Sequence, residues 1–144
     1  MFYTQDRDKL RLFFCQSWQK RLNNQPLEAL ENMLCQVIEL HPEYHSLIEN
    51  EDKALGRDYL PEDGETNPFM HLSMHLAIHE QLSVNHPKGL ADLYQKLVQE
   101  IGDTHEAEHQ IMDCMGEMMW RAQQTRTEPD ANFYLKCLKK KLKT

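Results

Sequence analysis

The chain has few of the residues that build turns. Its 144 residues include only 5 glycines and 6 prolines, and no stretch of strand length alternates polar and apolar side chains. The scarcity of turn residues argues against a β-rich architecture, and the missing alternation argues against strands. We therefore expect an all-α protein.

The chain also lacks the features of secreted, membrane and nucleic-acid-binding proteins. No uninterrupted apolar run approaches the roughly 20 residues of a membrane span, and the mixed N-terminus lacks the apolar segment of a secretory signal. A net charge of −7 gives no electrostatic reason to expect nucleic acid. We expect a cytoplasmic protein without membrane or nucleic-acid partners. Whether it forms a homodimer or binds another protein is left open.

The four cysteines form no C-x-x-C pair. They lie at positions 15, 35, 114 and 137, a spacing unlike that of zinc ribbons or redox dithiols. A cytosolic protein keeps such thiols reduced. Because Cys15, Cys35 and Cys114 lie within helical patterns, we expect them to be small, buried core residues.

Apolar residues recur at helical spacing through most of the chain, and caps and breakers divide this pattern into about six to seven helices. The simplest architecture is one helical bundle domain over residues 1–144. Residues 51–66 are polar and interrupted by Gly56, Pro61 and Gly64, so we expect a mobile connection there. We place the helices at about 6–22, 26–40, 42–49, 67–85, 88–101, 103–123 and from 130 onwards.

Asn67 and Pro68 open a helix with three histidines on one face. Asn is a good N-cap and Pro suits the first helical position. His71, His75 and His79 then follow at intervals of four residues. The three imidazoles lie within about 40° of the centre of the apolar face, where side chains are buried. Buried polar side chains need partners, so this stripe indicates a binding site.

A second H-x-x-x-H pair, His105 and His109, lies at the start of a later helix. If the two histidine helices are parallel, the pairs differ in height by only about 3 Å, within reach of one ion in a bundle core. Four imidazoles suit Zn²⁺, Fe²⁺, Ni²⁺ or Cu²⁺. The sequence therefore predicts a divalent transition-metal site formed by His71, His75, His105 and His109.

Other side chains lie close to these pairs in the sequence. His79 extends the first stripe, and Glu106 and Asp113 flank the second pair, where they could complete an iron site or orient the ligands. His41 and His45 have the same spacing, but the proline after His41 starts a helix between them, so they share no regular helical face. The secondary ligand candidates are His79, His45, Glu106 and Asp113, and whether His41 joins the site is left open.

Three segments resemble a family of short proteobacterial proteins of unknown function. They are N-P-F-M-H-L-S-M-H-L-A-I-H-E-Q at 67–81, H-E-A-E-H-Q-I-M-D-C-M-G-E-M-M-W at 105–120 and H-P-E-Y-H at 41–45. The resemblance covers nearly the whole chain and implies a bacterial, all-helical single domain without an assigned activity. The histidine arrangement is also similar in site architecture to hemerythrin and DinB-like bundles, which implies no particular reaction.

Two functions fit these observations. The first is a metal-binding helical bundle. Whether it is an enzyme is open; a metal-dependent hydrolase or transferase would need an open coordination position, with Glu106 as the candidate base. The second is a metal-free structural or protein-interaction module, in which the histidines are core and capping residues and an exposed apolar patch binds the partner.

Overall fold

A computed structural model describes residues 2–59 and 67–143, with side chains described from residue 7 onwards. Within these ranges the chain forms eight α-helices, one 3-10 turn and no strand, which confirms the all-α prediction. No helix in the described ranges is both long and apolar enough to cross a membrane. The helices are α1 (Phe2–Leu22), α2 (Ala29–Glu39), α3 (His45–Ile48), α4 (Glu51–Leu55), α5 (Pro68–Val84), α6 (Leu90–Ile101), α7 (Thr104–Thr125) and α8 (Ala131–Lys141).

Side-chain caps fix the start of both histidine-bearing helices, α5 and α7. Asn67 Oδ1 accepts hydrogen bonds from the backbone N–H groups of Phe69 and Met70, at 3.0 and 3.2 Å. Asp103 Oδ1 accepts one from the backbone N–H of His105 at 3.0 Å. These bonds satisfy amide groups that the first helical turn leaves unpaired, as the sequence predicts.

The predicted helix at 42–49 is divided. Pro42–Tyr44 form the 3-10 turn, and α3 begins at His45. The residue before a proline is disfavoured in the helical region, and His41 has φ −126° and ψ 65°, outside that region. His41 therefore lies outside every regular helix, in the turn that follows α2.

Helix α4 lies inside the segment 51–66, for which the sequence predicts an irregular connection. Asn50 Oδ1 accepts a hydrogen bond from the backbone N–H of Lys53 at 3.2 Å and caps the helix. An Asn cap followed by two acidic residues favours a helix start, so this signal was present in the sequence and was missed. Residues 60–66 lie outside the described residues, and the mobility of the segment stays a prediction.

Residues Met1–Leu76 form one compact unit. Arg11 on α1 is only 2% exposed. Its Nη1 donates to the carbonyl oxygens of Ala54 (2.8 Å) and Arg57 (2.7 Å), and its guanidinium lies 4.6 Å from the ring centre of Phe69. A buried guanidinium needs such partners, and these tie the end of α4 to α1 and α5. The apolar core of the unit consists of Phe14, Cys15, Trp18, Leu34, Cys35, Val37, Ile38, Ile48, Ala54, Phe69, Leu72 and Leu76.

Residues Ala77–Thr144 form a second compact unit, which contains the remainder of α5 and helices α6 to α8. Tyr134 on α8 is buried, and its hydroxyl donates to Oε1 of Gln81 on α5 at 2.8 Å. Burial raises the pKa of Tyr134, so the phenol stays protonated and remains a donor. The other buried residues of α6 to α8 are Leu90, Leu93, Leu97, Ala107, Glu108, Ile111, Met112, Cys114, Met115 and Leu138.

Cys114 on α7 and Cys137 on α8 form a disulfide, with Cα atoms 5.8 Å apart. The expectation that all the cysteines stay reduced is therefore wrong for this pair. The two residues belong to different helices, so only the packing of α7 against α8 brings them within bridging distance. Cys15 and Cys35 are buried free thiols, as predicted.

Thiol titration should divide the four cysteines into two pairs. In the native protein Cys15 and Cys35 should react very slowly with an aromatic disulfide reagent, because they are 3% and 0% exposed and burial raises the pKa of Cys15 to about 11. Unfolding without reductant should expose only these two thiols, and unfolding after reduction should expose all the cysteines. More than two reactive thiols in the unreduced, unfolded chain would contradict the disulfide.

Candidate metal centre

Three histidines of the first unit converge. One ring nitrogen from each of His41, His71 and His75 lies within 4.8 Å of those of the other two. His71 and His75 lie one turn apart on α5, and His41 reaches them from the turn after α2. His41 and His75 are 2% and 1% exposed, whereas His71 is partly exposed. The convergence brings two predicted ligands together with a residue whose place in the site the sequence left open.

The Nε2 atoms of His71 and His75 are 3.2 Å apart. Two imidazole nitrogens bound tetrahedrally to one zinc ion, each at about 2.0–2.1 Å, are separated by about 3.3 Å. The distance therefore suits two ligands of one ion. The distance also suits a hydrogen bond in which one neutral ring donates to the other. Measuring the metal content of the protein distinguishes a metal-bound pair from a hydrogen-bonded pair.

His41 has the second contact that is typical of a metal ligand. Its Nδ1 lies 2.8 Å from the carbonyl oxygen of Val37. A carbonyl can only accept, so Nδ1 carries the proton, and in the neutral ring Nε2 then carries the lone pair. Metal-binding histidines usually donate their other ring N–H in this way, which fixes the tautomer and the ring orientation.

The Tyr44 ring packs against two of the three histidines, although the sequence does not suggest a role for it. Its ring stacks on His41, with centroids 5.7 Å apart and an interplanar angle of 7°, and lies edge-on to His71 at 6.3 Å. Burial, with a smaller contribution from Glu43, raises the pKa of Tyr44, so the phenol is neutral at physiological pH. Tyr44 therefore contributes an aromatic wall beside His41 and His71.

His45 has a different set of contacts. Its Nε2 donates to the carbonyl oxygen of Ile38 at 2.8 Å, and its ring lies 4.8 Å from that of Trp18. Within the first unit it joins the end of α2 to α1. It is not among the converging histidines of this unit.

The second unit holds the predicted pair His105 and His109. Their rings are 4.4 Å apart on the first turns of α7, and both side chains are partly buried. His109 Nδ1 lies 3.6 Å from Oε1 of Glu106, whose side chain is 53% exposed. Asp113, the other acidic candidate, is 70% exposed and forms an ion pair with Lys141 of α8 at 3.5 Å. Both carboxylates are therefore largely solvated.

His79 pairs with Glu108, a carboxylate that the sequence pattern does not single out. Its Nε2 lies 2.9 Å from Oε1 of Glu108, which is only 3% exposed. This contact joins α5 to α7 within the second unit. A buried carboxylate needs a donor, so the pair accounts for both side chains without a metal.

A family model described as "Domain of unknown function (DUF1841)" matches residues 6–140, nearly the whole chain. The chain belongs to this family. The expectation of an uncharacterised family is thereby confirmed. Neither a curated protein nor a solved structure matches the chain significantly.

The DUF1841 triad of His41, His71 and His75 is chemically able to hold a metal ion. In the described part of the chain, no aspartate, glutamate or cysteine converges with these histidines. A donor set of neutral imidazoles suits zinc, iron, nickel or copper and is a poor match for magnesium or calcium, which prefer oxygen ligands. The arrangement therefore favours a transition metal.

Proposed function

We propose that this DUF1841 protein binds one divalent transition-metal ion, Zn²⁺, Fe²⁺ or Ni²⁺, through His41, His71 and His75. The observation that carries the proposal is the convergence of their ring nitrogens within 4.8 Å in a largely buried position. The contact of His41 with the Val37 carbonyl supports it, because it holds the ring in the tautomer that a ligand needs.

We further propose that α7 supplies the fourth ligand, with His105 as the first candidate and His109 as the second. The support is the sequence, because His105 and His109 repeat at the start of α7 the spacing of His71 and His75 on α5.

Whether the site can be catalytic depends on how many coordination positions of the ion are filled by protein side chains. Four histidines around Zn²⁺ would close the site and make it structural. Iron or nickel, with a larger coordination number, would keep positions open for hydrolysis or group transfer. Glu106 is the base candidate for that reaction, and its exposure leaves it able to exchange protons with solvent.

One observation favours the alternative of a metal-free interaction module. Met119 and Trp120, near the end of α7, are 48% and 60% exposed. Met119 also lines a groove of about 280 Å³, together with Ala122, Gln123, Thr127 and Pro129. Exposed apolar side chains of this kind commonly contact a protein partner. Such a module would need no metal, so metal analysis discriminates between the two functions.

Elemental analysis of protein purified without a His-tag and without added metal should find about one transition-metal ion per chain. His41→Ala should lower the occupancy at least about tenfold, because it removes a buried ligand. His86→Ala is the matched control, because His86 is exposed and lies outside the triad. A metal-free wild-type protein that also fails to take up added zinc, iron or nickel would exclude the proposed function.

A further inference from the structure

We propose that His45 is a positioning residue for the metal centre, which holds the turn that presents His41 to the other two ligands. The inference rests on the proposed metal binding and extends it to a residue that does not itself bind the ion. It gives the two histidines of the H-P-E-Y-H segment separate roles, with His41 as a ligand and His45 as its support. Two contacts of the His45 side chain carry the inference.

The first contact closes the turn that contains His41. His45 Nε2 donates to the carbonyl oxygen of Ile38 at 2.8 Å, and the same oxygen accepts a hydrogen bond from the backbone N–H of His41 at 3.0 Å. Ile38 lies one residue before the end of α2, where carbonyl groups lack partners within the helix. The bond from His45 therefore ties the start of α3 to the end of α2. Because His41 lies between these two points, the bond limits the motion of the turn from which its side chain extends.

The second contact joins this turn to the helix on which α5 packs. The ring of His45 lies 4.8 Å from that of Trp18 on α1, which is only 5% exposed. One helical turn earlier on α1, the ring of Phe14 lies 6.0 Å from that of Phe69, at the start of α5. Both aromatic contacts lie in the core of the first unit. Helix α1 therefore supports the turn through Trp18 and the helix of the other two ligands through Phe14.

This support matters because metal affinity depends on where the ligands are held before the ion binds. Ligands that are already in place lose little conformational freedom on binding. The spacing of the two ligands on α5 is fixed by the helix, whereas His41 extends from a turn. The contacts of His41 with the Val37 carbonyl and the Tyr44 ring orient its imidazole. The contacts of His45 act on the turn as a whole, because they fix it against α2 and α1.

The test titrates the full-length, metal-free protein with Co²⁺ at pH 7.5 and follows the visible spectrum, which reports both the affinity and the ligands of the ion. His45→Phe keeps a ring beside Trp18 and removes the donor to Ile38, so it should weaken Co²⁺ binding about tenfold. His45→Gln places an amide N–H near the position of Nε2 and should bind Co²⁺ within about threefold of the wild type. His45→Asn is one methylene shorter, so its amide does not reach the carbonyl and the loss should match that of His45→Phe.

Ile48→Val is the control for a loss of stability that does not involve His45. Ile48 lies on α3 and is 1% exposed, so removing one methyl group destabilises the same helix. The variant should bind Co²⁺ like the wild type. At saturating Co²⁺, His45→Phe should give the spectrum of the wild type, because the ligands of the ion are the same.

Wild-type Co²⁺ affinity in both His45→Phe and His45→Asn would overturn the inference and leave metal binding intact. A changed spectrum of His45→Phe at saturation would also overturn it, because His45 would then be a ligand. An equal loss of affinity in Ile48→Val would show an effect of general stability only. If His45→Phe does not fold, His45→Gln and His45→Asn decide, and equal affinities of these two variants would overturn the inference. A wild-type protein that fails to bind Co²⁺ would refute the metal site itself.

Discussion

Removing the metal with a chelator at pH 7.5 should lower the melting temperature of this protein by about 10–20 °C, and added metal should restore it. An ion present at about a thousand times its dissociation constant stabilises the folded state by about 4 kcal/mol. In a chain of this size, each kcal/mol shifts the melting temperature by about 3–5 °C. Differential scanning calorimetry of metal-loaded and chelated protein measures the shift directly.

His75→Ala gives this experiment its internal control. The variant should melt near the temperature of the chelated wild type, and chelator should lower it no further, because both treatments remove the same site. In the metal-free state the 3.2 Å contact between His71 and His75 is only a hydrogen bond. If the two histidines only formed this hydrogen bond and bound no metal, the chelator would leave the melting temperature of the wild type unchanged. His75→Ala would still lower the melting temperature, which would contradict the metal site.

The parts of the site that the sequence predicts are those set by local geometry. The Asn67 cap fixes where α5 begins, and a spacing of four residues then places His71 and His75 one turn apart on one face. Both features depend on neighbouring residues only, and the structure shows them as predicted. The all-α class is predicted for the same reason, because helical periodicity is a local property.

The parts that the sequence does not predict depend on residues far apart in the chain. His41 joins His71 and His75 across about thirty residues, from a turn that no periodicity describes. The disulfide between Cys114 and Cys137 likewise requires the packing of two helices. Because arginine is charged, Arg11 would be expected at the surface, yet the carbonyl groups and aromatic rings around it allow its burial.

Glu106 and Glu108 also show that the sequence pattern does not predict features that depend on packing between helices. The sequence favours Glu106 because helical spacing places it beside the predicted ligands, whereas Glu108 points nearer the side. The structure places its side chain largely in solvent and buries Glu108 against His79. The two residues are only two positions apart on α7, so the packing of this helix, and not its periodicity alone, decides which carboxylate is desolvated.

The two glutamates allow a matched test of that difference. Glu108→Ala should lower the free energy of unfolding by about 2–4 kcal/mol, because it removes a buried carboxylate and leaves its His79 partner without an acceptor. Glu106→Ala changes the same helix in the same way, but its exposed 3.6 Å contact with His109 is worth only about 0–0.5 kcal/mol. Urea unfolding curves with equal slopes give both values.

Glu108→Gln separates the loss of the acceptor from the loss of volume. It retains a carbonyl oxygen for His79 and nearly the same shape, so we expect a cost of about 1–2 kcal/mol, between those of the two alanine variants. Equal destabilisation by Glu106→Ala and Glu108→Ala would show that the carboxylate of Glu108 is not desolvated as the structure indicates.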